Sequence, residues 1–309
     1  MINLKRLKTF VLVAELGSLS RAAKVIGATQ SFISREITQL ETLWGDKLFD
    51  RTGRGMALTQ FGLHVLPQAQ QLLRYAQELD TSVHDNAGIV SGDVRIGIIP
   101  SLARRIIVDL FSTLQVAAPG VRLFVVEEFT GHLEELLASG QIDMAVMNRY
   151  HRSVLPGEDV LGFVDSHLIG RADLPLMRQP RVSFRELDNL PLVLPPRPNG
   201  LRTLLDNTAR QLGIRLNVVV EVNTQAAMTR IAATGRAFSF LPPMAVADEI
   251  VAGTLATVPV SQPAMPRTIS LSLTPHHPLS KAARTVASTV RRIATDVLSR
   301  EGPQGILVS

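Results

Sequence analysis

Residues 29–35 read TQSFISR, and five of these side chains end in a short hydrogen-bonding group or a guanidinium: Thr29, Gln30, Ser31, Ser34 and Arg35. Such a set suits the edges of nucleic-acid bases. Glutamine can make a paired contact to adenine, serine can donate or accept, and arginine can reach guanine or a phosphate. Ile33, Ile37 and Leu40 follow at steps of four and three, which gathers them on the other side of a helix, the side that meets a core. Downstream, in GDKLFDRTGRGMALTQFG, Phe49 and Leu58 flank a glycine-containing turn with Arg51 and Arg54 at its tip. This is the pattern of a two-stranded wing whose arginines can touch phosphates or the minor groove. Each feature also has a plainer reading, because short helix pairs abound in enzymes and a hairpin can carry solvated arginines.

A second set stands at helix starts in the rest of the chain: Ser101, Thr130, Asn199 and Thr224. Their hydroxyl and amide groups, with the backbone N–H groups that a first helical turn leaves free, favour an anionic or strongly polar ligand. The alternative is that each merely caps its helix. Arg202 either pairs a carboxylate or lies on a helix surface. Enzyme chemistry finds less support, since there is no G-x-S-x-G elbow, P-loop, dinucleotide fingerprint or H-E-x-x-H. His132 with Glu135, and His276 with His277, read more simply as a solvated helix face and a loop than as metal ligands. The absence of cysteine excludes disulfides, thiolate nucleophiles and Cys-ligated zinc. Neither a metal nor a cofactor is expected.

The elements that must position these residues are legible in the spacing. Leu4, Leu7, Val11 and Ala14 predict a first helix that Gly17 ends in a left-handed cap. Ser18 or Ser20 caps a short second helix, Gly27 turns the chain, and Thr29 caps the third, giving a helix-turn-helix. From Thr59, Val65, Ala69, Leu72, Ala76, Leu79 and Val83 keep the heptad spacing of a helix that pairs with another, and Pro67 removes one of its hydrogen bonds. HDNAGIVSGD, residues 84–93, reads as a hinge. Beyond it, strands alternate with helices, the signature of a parallel α/β sheet. The order recurs about ninety residues later, GVRLFVV from Gly120 being echoed by GIRLNVV from Gly213. Two such lobes imply a cleft, with ligands beyond the carboxyl ends of strands.

The bulk numbers agree with several domains. A chain of 309 residues, 46 % hydrophobic and 19 % charged, folds rather than stays disordered. Of the net charge of +5, residues 1–64 hold +4, from nine Lys or Arg against five acids. A basic head on a near-neutral body suits a polyanion-binding module. MINLKRLKTFVLVAELGS sets an apolar run behind basic residues, but Glu15 breaks it, so a cytoplasmic protein is expected. No run approaches the roughly 20 apolar residues of a membrane span.

From Leu4 to Gly62 the order Phe10, GSLSRAA, a Thr-Gln opening of the third helix, Ser34-Arg35, QLE, LF-R and LT--G resembles the winged helix-turn-helix of LysR-type bacterial transcription regulators. Ser31 stands where many members place proline. The likeness continues more loosely through LPLVLPPRPNGLR to PLSKAARTVASTV, with Ala237 where many members have a second glycine. It implies a multi-domain α+β chain with three parts: a DNA-binding domain at 1–58, a linker helix and hinge at 59–90, and a two-lobed, periplasmic-binding-protein-like effector domain at 91–309. Lobe one would take 91–163 and 267–309, and lobe two 164–266. The resemblance further implies double-stranded DNA and a small-molecule effector as partners, effector contacts at Ser101 and Thr130 above all, self-association as a dimer and then a tetramer, and contact with RNA polymerase. The competing reading is a small-molecule-binding α/β protein or enzyme without DNA recognition.

Overall fold

The computed structural model describes residues 3–53, 55–84, 90–150, 157–276 and 278–301. Arg54, His277 and hinge residues 85–89 lie outside them. The chain forms two compact units. In the first, helices α1 (Leu4–Leu16), α2 (Leu19–Ile26) and α3 (Gln30–Trp44) are followed by strands β1 (Phe49–Thr52) and β2 (Gly55–Leu58), then by α4 (Gln60–His84). The caps follow the sequence. Gly17 and Gly27 close α1 and α2 at φ 59° and 72°, Ser18 Oγ accepts from Arg21 N, and Thr29 Oγ1 accepts from Phe32 N. Of the two serines able to cap α2, it is Ser18 that does so.

Leu7, Phe10, Val13, Ala22, Ile33, Ile37 and Leu40 form the buried core of this unit. Phe10 meets Phe49 and Trp44 edge-on at 5.5 and 6.4 Å, and Trp44 meets Phe61 at 6.4 Å. The wing pairs Phe49 with Leu58 and Thr52 with Gly55. Its base is pinned to the turn between α1 and α2, where Met56 N donates to Gly17 O at 2.9 Å. A Cβ on Gly55 (φ +137°) would lie 2.3 Å from that same oxygen, so the approach requires glycine. Buried Glu41 fixes the other side by accepting from Leu48 N and Lys47 Nζ, both at 2.9 Å.

The second unit runs β3 (Ser91–Ile98), α5 (Pro100–Ala117), β4 (Gly120–Glu127), α6 (Thr130–Ala138), β5 (Met144–Arg149) and β6 (Asp159–Asp165). It continues with β7 (His167–Arg171), β8 (Val182–Ser183), β9 (Pro191–Leu194), α7 (Gly200–Leu212), β10 (Asn217–Glu221), α8 (Gln225–Ala233) and β11 (Ser239–Leu241). It closes with α9 (Ala247–Val251), β12 (Leu255–Ser261), β13 (Pro266–Leu273) and α10 (Lys281–Glu301). One five-stranded sheet has the order β4-β3-β5-β13-β6. A second group holds β11-β7-β12-β8 and the parallel pair β10-β9, joined where Val193 N donates to Phe238 O. The chain crosses between the two lobes twice, at 165–167 and 261–266. The crossings run side by side, with Asp165 opposite Pro266 and Ser166 N donating to Met265 O at 3.0 Å.

The repeat echo is only partial. GVRLFVV is strand from Gly120 onward, whereas Gly213 is the left-handed cap of α7 (φ 67°) and β10 begins four residues later at Asn217. Gly213 follows a helix, where a reversal is needed. Gly120 starts a strand packed closely on Ser91. Among the described residues no helix is long and apolar enough to cross a membrane.

Candidate functional site

In the first unit, α3 presents Thr29, Gln30, Ser31 and Arg35 as exposed and Ser34 as half-buried, while Ile33, Ile37 and Leu40 are buried on the opposite side. The exposed side is ordered by its own hydrogen bonds. Ser20 Oγ on α2 donates to Gln30 Oε1 at 2.9 Å, and Thr29 Oγ1 lies 3.0 Å from Ser31 Oγ. Ser20, passed over as a cap, orients the first residue of α3. Ser31 thus keeps a hydroxyl beside the cap. Arg51 is exposed on β1. This arrangement offers donors and acceptors of fixed position at one helix start, with a cation on the wing, which is what major-groove reading with a backbone anchor needs.

In the second unit the four ligand candidates differ in what their side chains do. Ser101 is the second residue of α5, which opens at Pro100 with Ile99 as its cap. Its Oγ is buried and has no hydrogen-bond partner among the described residues. Thr130 opens α6, yet its Oγ1 accepts from Asn148 N at 3.1 Å, tying the helix start to the end of β5. Asn199 caps α7, with Oδ1 accepting from Arg202 N at 3.2 Å. Thr224 precedes α8, makes no side-chain cap bond and is exposed. Arg202 is no surface residue. It is 4 % exposed and donates to Asp206, Glu221 and Pro195 O; burial is the largest single influence on its pKa and lowers it, but the two carboxylates together outweigh burial and hold the pKa above the usual arginine value.

Contacts between the lobes bring these starts together. Phe129, next to Thr130, packs on the lobe-two cluster of Ile169, Val193 and Met228. A Cβ on Gly200, next to Asn199, would meet the ring of Tyr150, two residues after Asn148. On the α5 side, Met244 joins the lobe-one core, and Gln225 Nε2, beside Thr224, donates to Ala245 O at 3.4 Å. A cavity of about 560 Å³ is lined instead by Arg197, Arg202, Arg210, Arg215 and neighbours, and by none of the four candidates. That open hollow carries less weight, because its buried arginine is already paired to Asp206 and Glu221.

Sequence reasoning passed over Asn148 and Arg267. Asn148 Oδ1 and Arg267 Nε and Nη2 are buried and unpartnered. A signal was present in PRTISLSL, where an arginine stands in alternation with Ile269 and Leu271 on the apolar side of a strand. His132 lies 3.3 Å from Glu135 on an exposed face, and His276 contacts Ala138 O.

Two family models match the chain: the bacterial regulatory helix-turn-helix protein of the lysR family over residues 4–63, and the LysR substrate binding domain over residues 87–294. The nitrogen assimilation regulatory protein nac of Klebsiella aerogenes is 28 % identical over 97 % of this chain and 96 % of its own. A hydrogen peroxide-inducible genes activator of Dickeya chrysanthemi is 27 % identical over 94 % and 95 %. Among solved structures, a full-length OxyR variant from Pseudomonas aeruginosa superposes with a TM-score of 0.71 at 20 % identity, covering 99 % of both chains. Full-length CbnR in complex with its target DNA gives 0.69 at 20 % identity, over 94 % of this chain and all of that one. With a winged helix-turn-helix in one unit and a two-lobed α/β body in the other, each matched by its own family model, the chain belongs to the LysR family of DNA-binding transcription regulators that carry a small-molecule-binding domain.

Proposed function

We propose that the start of α3 reads bases in the major groove through Gln30, Ser31, Ser34 and Arg35, that Thr29 orders this start, and that Arg51 and Arg54 on the wing hold the phosphate backbone. The observation that carries this is the bond from Ser20 to Gln30 Oε1, which holds the glutamine amide in place on an otherwise exposed helix start. A glutamine so held spends less conformational entropy on pairing with adenine. The test is selection of sites from a random duplex library by the wild-type protein and by Gln30→Ala. The variant relaxes preference at one base position and loses about 1–3 kcal/mol on the preferred site. Arg51→Ala instead weakens all sequences and flattens the salt dependence by about one unit of slope. An unchanged preference in Gln30→Ala overturns the placement of the reading helix.

In the same proposal the effector is a small anionic or strongly polar metabolite bound where the lobes meet, touched by Ser101 and Thr130 from one lobe and by the helix starts at Asn199 and Thr224 from the other. The buried hydroxyl of Ser101, without a partner, supports this reading. The effector shifts DNA binding or bending by binding two lobe arrangements unequally. Two α4 helices pair the subunits through the exposed heptad positions Leu72 and Leu79 with Ala76 between them, while Ala69 packs into the core of its own head, so that paired reading helices meet half-sites about one helical turn, or a multiple of it, apart. Further association to a tetramer, contact with RNA polymerase and a cytoplasmic location belong to the same proposal. Some relatives are activators of hydrogen peroxide-inducible genes, but this chain has no cysteine and cannot sense an oxidant through a thiol.

A further inference from the structure

Two arginines are buried among the described residues, each 4 % exposed, and they are treated differently. Arg202 is surrounded by acceptors. Arg267, on β13, has Nε and Nη2 buried with no partner and enters no ion pair among the described residues. A guanidinium cannot shed its proton to escape burial, so an unpaired one is strongly disfavoured unless something supplies the opposite charge. Asp165, the acid next along β6, is opposite Pro266, whereas Arg267 is opposite Val164, so the acid stands on the other face of the sheet.

The strand register shows what shares Arg267's face. Ile269, two residues along, is opposite Asn148 on β5, and Asn148 Oδ1 is likewise buried and unpartnered. On the next strand Ile98 is opposite Val146, and three residues beyond Ile98 stands Ser101, whose buried Oγ is also unpaired. Three unsatisfied polar groups thus stand in sequence across one edge of the sheet, Arg267 on β13, Asn148 on β5 and Ser101 in the first turn of α5, which follows β3. They carry one positive charge in total.

We propose that Arg267 is the charge-recognising residue of the effector cleft and that the effector is a small organic carboxylate, its two oxygens taken by Nε–H and Nη2–H, with the Ser101 hydroxyl and the Asn148 amide binding the atoms beside the carboxylate. Nε and one Nη are the parallel donors that match a carboxylate edge to edge. A single cation balances a monocarboxylate and leaves a doubly charged sulfate or phosphate half compensated. The assignment rests on the cleft reading above and narrows it from anionic or polar to one functional group.

The test uses the full-length protein and the smallest carrier of the group. Acetate, against chloride at equal ionic strength, raises the melting temperature of the wild type, while acetamide and sulfate do not. Arg267→Gln loses the acetate response and still selects the wild-type DNA site. Without any ligand, Arg267→Met melts at the same temperature as the wild type or higher, because it removes an uncompensated charge. A wild type indifferent to acetate, an acetate response equal in Arg267→Gln, or an Arg267→Met that melts lower overturns the assignment. Ser101→Ala separates the two levels. If it loses the response while Arg267→Gln keeps it, the cleft stands and the arginine falls; if both keep it, both readings fall.

Discussion

Replacing Gly55 by alanine isolates the contact that ties the wing to the helix-turn-helix. Two penalties add at this position. The backbone there has φ +137°, which side chains rarely adopt, and the new Cβ would stand 2.3 Å from Gly17 O, a distance that forces the wing away from the turn between α1 and α2. The strain amounts to about 1–3 kcal/mol, and the weakened bond from Met56 N to Gly17 O adds about 0.5–1.5 kcal/mol, for a total of about 2–4 kcal/mol. Gly17 cannot yield easily, because it is itself the left-handed cap of α1. The chain holds one tryptophan, Trp44, packed against Phe10 and Phe61 in the head, so its fluorescence reports unfolding of this unit alone. With a slope of about 1 kcal/mol per molar urea for so small a unit, the midpoint falls by about 2 M or more. Two controls calibrate the reasoning. Gly27→Ala has positive φ but open space and costs about 1 kcal/mol, and Gly53→Ala has neither obstacle and stays within about 0.5 kcal/mol of wild type. If Gly55→Ala unfolded with Gly53→Ala, the wing would not be anchored through Gly17.

Three further outcomes follow from the second unit and from α4. Asp206→Asn removes the less exposed of the two carboxylates that face buried Arg202 and costs about 2 kcal/mol by calorimetry, whereas Glu221→Gln, whose side chain is 47 % exposed, costs less than about 1 kcal/mol; the reverse order would show that the shorter contact to Glu221, at 2.6 Å, outweighs its exposure to solvent. Burial pushes the pKa of His167 below histidine's ordinary 6.5, with a smaller upward pull from Asp165. The unfolded chain therefore binds the proton more readily. The stability held by the neutral ring is full above 6.5 and declines as pH falls from there toward the folded value, and His167→Gln melts with a shallower pH dependence across that window. Leu72→Asp, at a position 38 % exposed on α4, converts the proposed dimer to monomer in sedimentation while leaving the Trp44 unfolding midpoint near wild type.

The head was legible because its signals are local. Gly17, Ser18, Gly27 and Thr29 act within four residues of where they stand, and the register of Phe49 with Leu58 follows from the length of the turn between them. The body was legible in its alternation of strand and helix and less so in its detail. Whether Thr130 caps its own helix or accepts from Asn148 depends on a strand 18 residues away, and whether Arg202 is surface or core depends on Glu221. The echo of Gly120 in Gly213 misled because the same letters close a helix in one place and open a strand in the other. Arg267 acquires meaning only once β13 is set between β5 and β6.

The paired crossings also bear on how such a body can be assembled. Because β6 and β13 are antiparallel neighbours and Asp165 faces Pro266, the hundred residues between them leave and re-enter the first sheet at one point. In topological terms lobe two is a loop grown to the size of a domain. A two-residue turn in its place would close β6 and β13 into an ordinary hairpin without disturbing the register of the other strands. Lobe two is thus an insertion made at a single point of the first sheet, and Ser101, Thr130 and Arg267 all belong to the half that receives it.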